Sequence, residues 1–208
     1  MRYLIFYKPY GVLSQFTPAH GHGSLADFGF PRGVYAAGRL DADSEGLLFL
    51  TDDGVFQSRI AEPKHKTPKI YLAQVERVIT ADALEKLRKG VTLNDGPTLP
   101  CKARAVPAPS LPPREPPIRF RKTVPDSWVE IELKEGRNRQ VRRMLACVGF
   151  PVLRLVRRAI GPLTLDGLTP GQWRELTPEE LKKFRNRGGL YRSPAHTHGH
   201  NSANSVDQ

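Results

Sequence analysis

Apolar residues recur along this chain with two periods, one of two residues and one of about 3.6, and the breaks between them fall on glycine, proline and aspartate. Arg2 to Lys8 is dense in Tyr, Leu, Ile and Phe and stops at Pro9-Tyr10-Gly11, which predicts a strand closed by a turn. Val12 to Phe16 and Val34 to Ala37 predict two further strands. Leu47 to Thr51 predicts a buried strand ended by the turn signal Asp52-Asp53-Gly54, followed by a short helix over Val55 to Ala61. Lys69 to Val78 alternates as a strand, and Thr80 can cap a helix over Ala81 to Lys89 whose inward face carries Leu84 and Leu87. After another strand at Trp128 to Leu133, Val141, Met144, Leu145 and Val148 stand at helical spacing within Asn138 to Val148. Short strands at 152–156, 163–165 and 173–176 lead into a last helix. Its start, Thr177-Pro178-Glu179-Glu180, combines a capping box with proline at the first helical position.

Two stretches carry no such period. Val106 to Pro125 holds so many prolines that it predicts a long surface loop, read as a connection between two halves. Beyond Arg187 the chain runs through Gly, Ser, His and Asn, so 188–208 is expected to be a disordered tail and 1–187 a single folded domain. Strands outnumber helices and several connections are too short for crossovers. The fold class is therefore α+β: a mostly antiparallel mixed sheet in two lobes, flanked by helices, with a cleft between the lobes.

The charge balance narrows the choice of partner. Lys and Arg number 32 against 21 Asp and Glu, a formal net charge of +11, which favours a polyanion and nucleic acid first; an ordinary basic protein is the plainer reading. Cys101 and Cys147 are the only cysteines and lack metal-ligand spacing, and the N-terminus shows no cleavable signal, so a cytoplasmic location is expected. Runs such as Leu47-Leu48-Phe49-Leu50 fall far short of the ~20 apolar residues of a membrane helix, so no membrane partner is expected. His196, His198 and His200 alternate in the tail without a fourth ligand, and no metal is expected there.

The segment from Gly38 to Gly54 is a charged loop pinned between apolar strands, a place where function often sits. On physical grounds alone Asp41 and Asp43 are equally turn residues or reactive carboxylates. Together with Glu45 they also offer a carboxylate pair for acid and base work on a sugar bond, as in a glycoside hydrolase.

This segment, Gly38-Arg39-Leu40-Asp41 onward, resembles the catalytic motif of the RsuA/RluB/RluE/RluF group of pseudouridine synthases, whose Asp in that run is essential; the resemblance selects Asp41. Lys69-Ile70-Tyr71 resembles the group's Lys-x-Tyr motif, which implies that Tyr71 packs against the target base and shares in proton transfer. Glu135-Gly136-Arg137-Asn138-Arg139-Gln140-Val141-Arg142-Arg143-Met144 resembles its basic motif, which implies that Arg142 pairs with Asp41 and keeps it ionised. Arg39 is implied to prop the gap left by a flipped base, or else to contact phosphate. The resemblance runs over nearly all of residues 1 to 185. Its Asn94-Asp95-Gly96-Pro97-Thr98-Leu99-Pro100 run, with Pro116-Pro117-Ile118-Arg119 and Val148-Gly149-Phe150-Pro151, is similar to the RluE branch of the group, which also begins without an S4-type RNA-binding domain.

The resemblance implies a pseudouridine synthase fold with a central catalytic cleft. It implies isomerisation of one uridine of large-subunit (23S) ribosomal RNA near the peptidyl-transferase region, on free RNA or an assembly particle. Breaking the bond from ribose to N1 and rejoining through C5 calls for a carboxylate beside the sugar, as nucleophile or base. No organic cofactor is expected, since nothing is oxidised and no group comes from outside. Arg39, Lys69, Arg137, Arg139, Arg143, Arg154 and Arg157 are expected to contact RNA, continued by Arg158, on a monomer by default. The rival readings are a non-catalytic RNA-binding ribosome-assembly protein and a synthase acting on another ribosomal site or on transfer RNA.

Overall fold

The structure is a computed structural model that describes residues 1–19, 21–61, 67–118 and 123–187. The expected disordered tail and its histidines lie outside the described residues. In chain order the elements are β1 (Tyr3–Lys8), β2 (Tyr35–Ala36), β3 (Glu45–Thr51), α1 (Gly54–Ala61), β4 (Lys69–Glu76), α2 (Ala81–Lys89), β5 (Thr92–Leu93), β6 (Gly96–Pro97) and β7 (Lys102–Val106). Then follow β8 (Asp126–Leu133), α3 (Gln140–Cys147), β9 (Val152–Ile160), β10 (Leu163–Thr164), β11 (Trp173–Glu175) and α4 (Pro178–Arg187).

One sheet runs through the molecule in the order β11-β1-β3-β9-β4-β8-β7, with β2 beside β3 and β10 beside β9. Among the described residues its one parallel pairing is β3 with β9, at Glu45 with Val156 and Gly46 with Arg157. Every residue of β3 is buried, because the strand is covered on both faces. Leu48 and Leu50 join Leu4, Phe6 and Leu25 on one side, while Leu47 and Phe49 join Ile5, Phe56 and Phe184 on the other. The other half is one-sided. Ala73, Val75, Val129 and Ile131 pack under Leu84 and Leu87 of α2 and Val141, Met144 and Leu145 of α3. The opposite face of β8 carries Glu130 and Glu132, which pair with Arg104 and Lys102 of β7.

Local signals act where they were read. Thr80 Oγ1 accepts from Ala83 N at 3.2 Å and caps α2. At α4, Thr177 Oγ1 accepts from Glu180 N at 3.2 Å while Glu180 Oε2 accepts from Thr177 N at 2.9 Å, the reciprocal pair of a capping box. Gly46 has φ +112°, and a Cβ there would lie 2.6 Å from Arg157 N, so only glycine lets β3 meet β9 this closely. That contact joins the two halves.

Two expectations are corrected, and one segment is left unread by the sequence pattern. Val12 to Phe16 is not a strand; Val12 only bridges Gly23, and Ser14 turns its hydroxyl to the backbone of Leu40 instead. The segment 91–106, which shows no clear period, supplies β5, β6 and β7. The proline-rich segment does not link the halves in sequence: it joins β7 to β8, which are antiparallel neighbours. It nevertheless reaches across, since Leu111 packs against the cluster around Phe49 and Pro112 O accepts from Arg154 Nη2 at 2.9 Å.

Tyr7 is 1 % exposed and its hydroxyl has no hydrogen-bond partner among the described residues, so burial pushes the phenol up to about 12. An unsatisfied buried hydroxyl is a cost the fold carries. Tyr7→Phe is accordingly expected to leave stability unchanged or raise it by about 1 kcal/mol, read as the midpoint of urea unfolding. A loss of stability would show that the hydroxyl is satisfied.

Candidate active site

The loop that carries Asp41 is held from both sides by backbone contacts. Gly11 N donates to Ala42 O at 2.7 Å, Ser14 Oγ bonds the carbonyl and amide of Leu40 at 2.8 and 3.0 Å, and Ser44 N closes a turn onto Asp41 O at 3.0 Å. Beneath it, Lys8 is fully buried and its Nζ donates to Pro9 O at 3.0 Å and Val12 O at 2.6 Å, fixing the turn from which Gly11 reaches the loop. Lys8 was not singled out from sequence. The signal was present: a lysine at an inward position of a strand otherwise made of apolar residues has to find partners.

At the junction of β3 with β9 lies a cavity of about 490 Å³ lined by Asp41, Arg39, Lys69, Tyr71, Arg139 and Arg157, among others. Tyr71 stands opposite Arg157 at an irregularity in the β4–β9 ladder, so both side chains share a face. Arg157 is 4 % exposed; its Nε donates to Leu47 O at 2.7 Å and its Nη1 to Arg39 O at 3.3 Å. Its Nη2 is buried with no partner among the described residues. It is thus a fixed cation with one donor unused, beside the aspartate loop.

Arg139 and Arg142 are distributed differently from the expectation. Arg142 does not pair with Asp41. Its Nη2 donates to Asp43 O at 2.6 Å and its Nε lies 3.4 Å from Asp43 Oδ2. Arg139 forks onto Asp43 at 3.0 and 2.8 Å and stands 3.7 Å from Asp41 Oδ2. The reason is backbone geometry. Arg139 is the residue before α3 and adopts φ 48°, ψ 32°, a left-handed conformation costly for arginine, which turns its side chain to the loop. Burial would raise the Asp43 carboxyl, but hydrogen bonds from Arg139 and the charge of Arg142 outweigh it and hold the group below the ordinary value.

The other expected RNA contacts fall into separate groups. Arg39 is exposed. Arg137 donates to Gly96 O at 3.0 Å and to Pro97 O, and Arg143 forks onto Asp95 at 3.0 Å with both nitrogens, so the β5–β6 hairpin is tied to the loop before α3 by the first and to α3 itself by the second. Arg154 is withdrawn from any surface track: it is 6 % exposed and pairs with buried Glu45 at 2.8 Å through two nitrogens. Gln140, 3 % exposed, braces the loop before α3 by accepting from Arg137 N at 3.0 Å and donating to Glu135 at 2.5 Å. Among the described residues no three His, Cys, Asp or Glu side chains gather as metal ligands, and no helix is long and apolar enough to cross a membrane.

A buried lysine, Lys8, and a half-buried one, Lys69, make stability depend on pH. Burial pushes Lys8 down to about 7 and Lys69 down to about 8, the latter with help from the charge of Arg157, against an ordinary value of 10.5. Unfolded, both keep their protons up to about pH 10, so between about pH 7 and 10 the unfolded chain binds more protons than the native one. Their contribution therefore rises with pH across that window. Lys8→Met is expected to flatten the rise of the unfolding midpoint between pH 6.5 and pH 9; an unchanged slope would contradict it.

Comparison with known proteins bears on the family and the fold. Residues 2–147 match the family model described as RNA pseudouridylate synthase. The chain is 60% identical over 166 residues to ribosomal large subunit pseudouridine synthase E of Xanthomonas axonopodis pv. citri, covering 78% of this chain and 87% of that protein. It is 54% identical over 173 residues to the synthase E of Vibrio parahaemolyticus, covering 83% and 73%. A solved structure described as a pseudouridylate synthase superposes with a TM-score of 0.73 at 31% identity, over 88% of this chain and 73% of that one. On the matched family model, the identity over most of both chains and the shared fold, this chain belongs to the RNA pseudouridylate synthase family.

Proposed function

We propose that the chain isomerises one uridine of large-subunit ribosomal RNA, in the peptidyl-transferase region, to pseudouridine. The observation that carries the reading is the cavity itself. Three blocks far apart in sequence, around Asp41, at Lys69 and Tyr71, and from Arg137 to Val141, converge on one space at the sheet's parallel junction. The names of the relatives supply the RNA class.

In this reading the target base leaves its stack, at a cost of a few kcal/mol, and lies against Tyr71. Asp41 meets the ribose at C1′ or C2′ as nucleophile or base. The bond from C1′ to N1 breaks, the ring turns over, and C1′ bonds C5, while the C5 proton leaves and N1 gains one. Arg139 supplies the charge nearest Asp41, and Asp43, with Arg142 behind it, fixes the direction of Arg139. Arg157 and Lys69 offer positive charge to the nucleotide from the cavity wall, Arg39 from its rim, and Arg137 and Arg143 from the α3 side. A single chain acting in the cytoplasm completes the proposal.

Tritium release from RNA labelled at uracil C5 tests it. The purified protein is expected to release label from a large-subunit transcript and not from small-subunit or transfer RNA. Release from one of the latter alone would overturn the choice of substrate.

A further inference from the structure

The connection from β7 to β8 is far longer than its ends require. Val106 and Trp128 are antiparallel partners, and strands so placed commonly close through a loop of about two to five residues. The chain instead spends residues 107–125 on the connection. In its described part it leaves its own half of the sheet and touches the other half at successive residues. Leu111 packs on the cluster around Phe49, Pro112 O accepts from Arg154 Nη2 at 2.9 Å, and the guanidinium of Arg114 lies over the ring of Tyr10, 4.3 Å from its centroid.

The contact on Tyr10 is braced from both sides. Arg114 Nε donates to Pro116 O at 2.7 Å and Nη2 to Pro117 O at 3.1 Å, so carbonyls of the strap itself fix the guanidinium over the ring, where a cation is attracted by the aromatic face. Tyr10 is half-buried between two backbone anchors: Pro9 O before it accepts from Lys8 Nζ at 3.0 Å, and Gly11 N after it donates to Ala42 O at 2.7 Å, next to Asp41. The peptide that joins Tyr10 to Gly11 is therefore the one that holds the aspartate loop, and Arg114 holds Tyr10.

We infer that Arg114 and Tyr10 are positioning residues for the isomerisation: the proline-rich strap clamps the turn from which Gly11 holds the Asp41 loop. Neither residue is among those lining the Asp41 cavity, so both act through the bond from Gly11 to Ala42. The inference rests on the proposed role of Asp41. It gives the long connection a task in catalysis, since a misplacement of about 1 Å at a reacting group can cost about a hundredfold in rate.

The test uses the full chain and a large-subunit transcript, with single-turnover rates of pseudouridine formation at saturating enzyme and RNA affinity measured in parallel. Arg114→Ala and Tyr10→Ala are each expected to slow the reaction about tenfold while affinity stays within about threefold of wild type. Tyr10→Phe, which keeps the ring, is expected to retain about half of the rate or more, and Arg114→Lys, which keeps a cation, to lose less than Arg114→Ala. The double alanine variant is expected to be at most about twofold slower than either single one, because both remove the same contact. An Arg114→Ala rate within about twofold of wild type, a Tyr10→Phe as slow as Tyr10→Ala, or losses that multiply in the double variant would overturn it. Asp41→Asn on the same transcript keeps the two failures apart: an active Asp41→Asn counts against the role of Asp41, whereas an inactive one beside an unimpaired Arg114→Ala counts against the strap alone.

Discussion

Asp41→Asn is expected to lower kcat by about four orders of magnitude or more while RNA affinity stays within a few-fold of wild type. The amide has nearly the same shape, so the Gly11, Ser14 and Ser44 contacts that hold the loop, all of them to backbone atoms of residues 40–42, remain. What is lost is a group able to attack the sugar or remove its proton. The variant also removes a negative charge 3.7 Å from Arg139, and Asp43 still holds that arginine by two shorter bonds. In the proposed reading binding rests on the cations, which are untouched. Single-turnover kinetics on a labelled transcript, with affinity measured in parallel, separate the two effects. Activity within tenfold of wild type would remove Asp41 from the chemistry.

Arg154→Met is expected to cost about 3–5 kcal/mol of stability, because it leaves Glu45 charged and without its partner inside the protein. The two side chains are 7 % and 3 % exposed and meet through two 2.8 Å bonds across the β3–β9 junction. Arg154 also holds Pro112 O, so the strap formed by the proline-rich segment loses a tether. For a domain of this size such a loss lowers Tm by roughly 10 °C or more. The double variant Glu45→Met with Arg154→Met is expected to recover most of it, since no lone charge remains buried. If the double variant is as unstable as the sum of the single ones, the buried-charge explanation fails.

Where local chemistry decides structure, the sequence was readable. The Thr80 cap, the Thr177–Glu180 box, the inward face of α3 and the unbroken apolar run of β3 each carry their signal within a few residues. β7 was missed because its inward residue Ala103 is small and its outward ones are charged, so alternation barely shows in apolar character. Val12 to Phe16 looked like a strand because its apolar residues pack inward, yet with Ser14 engaged by Leu40 the backbone has no ladder to join.

The site divides the same way. Asp41, Tyr71 and the basic block are proposed from motifs, which name residues but not their partners. Arg142 was matched to Asp41 by position in the motif, whereas the left-handed backbone at Arg139 sends the other arginine there, and no residue pattern announces that conformation at an arginine. Arg154 looked like one more cation in an exposed stripe. Its partner Glu45 lies 109 residues away, on a strand that becomes its near neighbour only when β3 and β9 run parallel.

The most direct measurement is made in the host: delete the gene, map pseudouridines on ribosomal RNA by carbodiimide modification and primer extension, and complement with wild type or Asp41→Asn. The account predicts that one large-subunit signal disappears, that wild type restores it and that Asp41→Asn does not. Full restoration by Asp41→Asn, or an unchanged set of ribosomal signals in the deletion strain, would contradict it.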